Sequence, residues 1–95
     1  MNITMDNEVM EKLRTLLAAE DNNAAVVRVR EARVGGGCES KLVLRLSIDE
    51  RENEDIEAEI SSIPFVINEE FAEQYGTKFV VTLSELQDFK VLPQD

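Results

Sequence analysis

Histidine and tryptophan are absent from this sequence, and cysteine occurs once. Without histidine the chain lacks the commonest general base and the commonest metal ligand. Hydrolysis by a Ser–His or Cys–His pair is excluded, as is any zinc site that needs imidazole. A single cysteine forms no internal disulfide, which suits a reducing cytosol, and the cytoplasm is the expected compartment. Long apolar runs are missing too, so no membrane span is expected, and the polar, charged residues 1–13 are unlike a secretory signal. Positive charge is scarce: ten Lys and Arg stand against twenty Asp and Glu, a net charge of −10. That balance disfavours nucleic acid or anionic membrane as a partner and fits a protein that meets other proteins.

What is present argues for a folded chain. Apolar residues make up 43% of the 95 and recur with clear periods, against the pattern of disorder. A single domain, residues 1–95, is expected, with a core that buries roughly 60–65% of the unfolded surface. Asn2-Ile3-Thr4 suits a short edge strand. Asp6 suits a helix N-cap, and Val9, Leu13, Leu16 and Leu17 then trace one face of an amphipathic helix ending near Glu20. Strands are expected over residues 25–33, 41–49, 55–60, 63–67 and 77–83, with a short helix over 69–75 between Asn68 and Gly76. Pro64 suggests an edge or strand-start position for its strand. Residues 85–92 show no regular pattern. The expected fold is α+β: a compact, β-sandwich-like, mostly antiparallel arrangement with an N-terminal helix and a short second helix. The apolar phases predict a core of Val9, Leu13, Leu16, Leu17, Val27, Val29, Leu42, Leu44, Leu46, Ile56, Ile60, Val66, Phe79 and Val81.

Three of the four glycines and the only cysteine fall together in Val34-Gly35-Gly36-Gly37-Cys38-Glu39-Ser40, between the two best strand candidates. Glycines lift the steric limit on φ, so a tight loop that exposes the thiol is expected. Residues 28–45 carry five basic side chains against two acidic ones, half of the protein's positive charge. Cationic neighbours favour the thiolate, the form that attacks electrophiles and binds soft metals, which makes Cys38 the best chemical candidate. From 49 to 59 run seven acids and one Arg51. Asp55, Glu57 and Glu59 alternate with Ile56, Ala58 and Ile60, giving a half-buried strand with an acidic outer face, expected beside the basic strand. The run lacks the glycine and spacing of a calcium loop.

The order of these local words resembles the HesB/IscA group, the A-type iron–sulfur carriers. Ile3-Thr4-Met5-Asp6 is similar to the family's opening. The glycine loop ending in Cys38 resembles its GGCSG word. Asn53-Glu54-Asp55, Phe65-Val66-Ile67-Asn68, Gly76-Thr77-Lys78-Phe79-Val80-Val81 and Asp88-Phe89-Lys90-Val91 follow in family order. The resemblance implies a compact β-rich fold, a homodimer or larger oligomer, and a non-enzymatic role in holding iron or a [2Fe–2S] cluster on its way to a recipient apoprotein or from a scaffold. It carries over one ligand, Cys38, as the metal- and cofactor-binding residue. The family's C-terminal Cys-Gly-Cys has no counterpart before Asp95, and one thiolate is an incomplete set for a centre that takes four protein ligands. A divergent member that assists iron–sulfur assembly by transient contact through Cys38 is therefore expected. The alternative is a protein-binding module that kept the scaffold and lost cluster binding.

Overall fold

The computed structural model describes residues 1–94. The elements run β1 (Asn2–Met5), α1 (Asn7–Ala18), β2 (Val26–Val34), β3 (Lys41–Asp49), β4 (Asp55–Ile60), β5 (Ile63–Asn68), α2 (Glu69–Tyr75), β6 (Lys78–Leu83) and β7 (Phe89–Pro93). All seven strands share one sheet in the order β1-β6-β7-β3-β2-β5-β4. Four ladders are antiparallel, while β1–β6 and β2–β5 are parallel. The sheet curls until its end strands β1 and β4 come close, and both helices pack on the inside against β5 and, for α1, β6. This is the α+β, mostly antiparallel fold expected from the sequence.

Local chemistry explains the helices. Asp6 is extended and its carboxylate accepts from the Val9 amide at 3.0 Å, which satisfies one orphan donor of α1. Asn68 does the same for α2 through Glu70, and Gly76 ends it with φ +85, a conformation that other residues enter at a cost. Val9 and Leu13 of α1 and Phe71 of α2 are buried against Phe65, Phe79 and Ile67.

Of the expected core, Val9, Leu13, Val27, Val29, Phe79 and Val81 are buried, and Leu17, Leu44, Leu46, Ile56 and Ile60 pack partly buried against them. Leu42 and Leu16 depart from expectation at 50% and 39% exposure. Leu16 lies at the margin of the helix stripe, and Leu42 lies on an arm that outruns the sheet beneath it. Val66 is buried, but on the opposite face from Val27, since it stands beside Arg28 in the parallel register. Ile3, Ile63, Phe65, Ile67 and Val91 complete the cluster.

Three expectations on topology are corrected. Residues 89–93 form a strand, β7, paired along its length with β6 after a turn at Ser84–Asp88. The acidic strand β4 is not next to the basic pair: β5 lies between β4 and β2. Pro64 is therefore inside the sheet, and it is tolerated because the β2–β5 ladder begins only at Phe65. The β4–β5 hairpin turns on Ser61 and Ser62, with φ of 53° and 67°, the left-handed pair of a type I′ turn made without glycine. Arg14 of α1 donates to the Ser61 carbonyl at 2.6 Å and ties helix to turn.

Candidate functional site

β2 and β3 form a hairpin of nine residue pairs, from Val26–Asp49 to Val34–Lys41. Its base is buried: Val26, Val27, Arg28 and Val29 are all under cover. From Arg30 and Arg45 outward the two strands are half-buried to exposed. The hairpin is thus an arm, with the glycine loop at its tip. Gly35 has φ +84, and a Cβ there would stand 3.1 Å from the Glu39 carbonyl oxygen; Gly37 has φ +63 in open space. The left-handed turns fold the tip onto itself and start a short 3-10 turn, Gly37–Glu39. That turn sets Cys38 outward as an exposed free thiol. Arg33 donates to the Ser40 hydroxyl at 3.3 Å and closes the loop at its base. Sequence reasoning located this loop and its exposure. The tip does not gather a ligand set around the thiol: among the described residues no three His, Cys, Asp or Glu side chains come together.

A second constellation was not foreseen. Arg28, expected on a basic outer surface, is only 7% exposed. Its guanidinium donates from Nε to Asp49 at 2.7 Å, from Nη1 and Nη2 to the two Asp55 oxygens at 2.8 and 2.6 Å, and from Nη2 to the Glu50 carbonyl at 3.0 Å. The cause lies in topology. The chain leaves β3 at Asp49 and enters β4 at Asp55, two strands beyond β2, so residues 50–54 must cross the outer face over Arg28 and Val66. Asp49 and Asp55 bound that crossing, and Arg28 pins both ends. The Glu52 amide adds a bond to Asp55 at 2.7 Å. No buried side-chain nitrogen or oxygen among the described residues lacks a partner.

The electrostatics follow. Fork-shaped pairing with Arg28 holds the Asp55 carboxyl below its ordinary range, and the Glu50 amide, then Arg28, lower Asp49. Arg28 itself is raised further above its already high value by Asp55. Nearby Arg51 reaches back from the crossing to Glu57 at 2.5 and 2.6 Å and lowers it, on the exposed surface. Of the expected charge pairing, then, Arg28 with Asp55 is real but buried, and the exposed pair uses Arg51. Arg30 and Arg45 stand directly opposite each other, without an acidic partner among the described residues. The sequence signal for the pin was an arginine set among Val26, Val27 and Val29, with an aspartate at each end of a turn.

No family model matches the chain, and no curated protein matches it in sequence. Solved structures do match in three dimensions. Escherichia coli SufA, involved in biosynthesis of iron–sulfur clusters, superposes with a TM-score of 0.69 at 19% identity, over 97% of this chain and 80% of its own. IscA with a [2Fe–2S] cluster gives 0.62 at 14% identity, over 96% and 81%. A solution structure of an Aquifex aeolicus protein gives 0.61 at 18% identity, over 97% and 91%. The fold is therefore the one shared with SufA and IscA, as the sequence resemblance implied.

Proposed function

We propose that this chain assists iron–sulfur cluster assembly as a non-enzymatic handling protein, with iron or a cluster as its cargo and Cys38 as its contact. The observation that supports this reading is the placement of one free, exposed thiol at the tip of a glycine-built arm, on the fold of SufA and IscA. The donor set decides the mode. One thiolate with no clustered carboxylates does not fit a resident cluster, which takes four protein ligands. Carboxylates are in any case hard donors for a soft site. Cargo contact at Cys38 is therefore transient, completed by ligands from a second copy, a small thiol, or the scaffold or recipient apoprotein. The exposed tip permits this, because nothing must unfold for an incoming thiolate to reach it.

The test is anaerobic incubation with ferrous iron, sulfide and glutathione, followed by desalting, for the parent protein and Cys38→Ser. The expected result is iron and visible absorbance retained by the parent and lost in the variant. Equal retention by both would overturn the role of Cys38. No retention by either would leave the fold serving as a protein-binding module without cargo.

A further inference from the structure

The ladder between β3 and β7 consists of one pair, Leu44 with Val91, although the strands have nine and five residues. On both sides of that pair they splay, and a groove of about 500 Å³ opens between them. Its inner wall is apolar: Leu42, Leu44, Tyr75 and Phe89 line it. Leu42 points to that inner side yet is 50% exposed, and Leu92 at the rim is 51% exposed. The outer side is cationic. Arg30 faces Arg45 across the β2–β3 ladder, and Lys90, one residue before Val91, stands on the same face of the next strand. Like charges set directly opposite in a sheet are destabilising. None of Arg30, Arg45 and Lys90 has an acidic partner among the described residues, in a protein of net charge −10.

We propose that this groove is a docking site for an extended segment of a partner protein in which acidic and apolar residues alternate. Three features select that chemistry. The facing edges of β3 and β7 present main-chain groups not used in their mutual ladder, the usual means of capturing an extended strand. A strand points successive side chains to opposite faces, so one set meets Leu42, Leu44 and Tyr75 while the other meets Arg45 and Lys90. The cationic row supplies the charge complementarity, and it is confined to this patch. A long polyanion such as nucleic acid would meet the acidic remainder of the surface, whereas a short acidic segment would not. The groove functions independently of Cys38 and of the cargo reading above.

The experiment is fluorescence anisotropy with a fluorescein-labelled heptapeptide alternating glutamate and valine. Controls replace its glutamates by lysine or its valines by threonine. Saturable binding is expected, weakened about tenfold by Arg45→Glu or Lys90→Glu and further by high salt. Leu92→Asp should weaken it as well, and Cys38→Ser should leave it unchanged. Arg45, Lys90 and Leu92 are exposed, so these variants keep the fold, which circular dichroism verifies. Absence of saturable binding, or equal binding of the lysine peptide, would overturn the proposal. So would a dimer in sedimentation equilibrium that Leu92→Asp dissociates and the glutamate peptide does not displace, since a second copy would then be the occupant.

Discussion

The two polar constellations on the β2–β3 hairpin sit a few residues apart and are built on opposite terms. At the base, Arg28 is buried and every donor is matched to Asp49, Asp55 or a main-chain carbonyl. At the tip, Cys38 is exposed, and the loop that carries it is held by left-handed glycines and one bond from Arg33 to Ser40. The base tolerates no exchange of partners without exposing a buried charge. The tip offers a group that forms and breaks contacts at no cost to the core. Charge at the base fixes where a crossing loop lies; the thiol at the tip is left for chemistry.

The sharpest way to break this contrast is to remove one member of the pin. Asp55→Ala leaves Arg28 buried and unpaired, and breaking such a pair should cost about 3–5 kcal/mol of unfolding free energy in urea titrations. The double variant Arg28→Met/Asp55→Leu should recover most of that loss, because a well-packed apolar replacement removes the desolvation penalty along with the pair. A loss in Asp55→Ala below about 1 kcal/mol would mean the crossing loop is held by something else.

Acid offers the same test without mutation. Asp55 and Asp49 titrate lower in the fold than in the unfolded chain, whose value is near 3.8. A depressed folded value means the unfolded chain binds protons first, so the stabilisation is complete above about pH 4 and drains as pH falls through the folded values. Arg28 stays charged throughout. Thermal melts should therefore hold steady from neutrality to about pH 4 and fall below it, and Arg28→Met should flatten that fall.

At the tip, substitutions act through backbone strain alone. Gly35→Ala forces a left-handed φ and sets a Cβ 3.1 Å from a main-chain oxygen, so a cost of about 1–3 kcal/mol is expected. Gly37→Ala meets open space and should cost only the left-handed term, about 1 kcal/mol. The Ser61-Ser62 turn runs the comparison in reverse. Replacing it by Asn-Gly, the preferred type I′ pair, should stabilise by about 0.5–1 kcal/mol in the same urea assay.

Much of this architecture was legible in residue order. Alternation placed β2 to β6 within a residue or two, and Asp6, Asn68 and Gly76 marked the helix ends. The glycine loop could be read because its residues impose their own geometry. The strand at 89–93 could not, since one apolar phase of five residues gives little period to read, and it is β6 that makes it a strand. Nor could the pin, because the pairing of Arg28 with Asp55 depends on β5 entering between β2 and β4, an order fixed by long-range packing. Leu42 was misjudged for a related reason: its phase is right, but the arm extends past the layer that would have covered it.

The smallest effect on stability should come from the residue on which the functional reading rests. Cys38 is exposed and lies outside the apolar cluster. A surface substitution of this kind changes unfolding free energy by less than about 0.5 kcal/mol, so Cys38→Ser should be as stable as the parent. Its thiol should also react with iodoacetamide in the native state about as fast as in urea, since the fold does not cover it; mass spectrometry over a time course reads both rates. Native alkylation slower by about tenfold would mean the tip closes over the sulfur, and the transient contact with cargo would lose its access. With access and neutral stability both in hand, loss of retained iron in Cys38→Ser becomes a statement about ligation, separable from any damage to the fold.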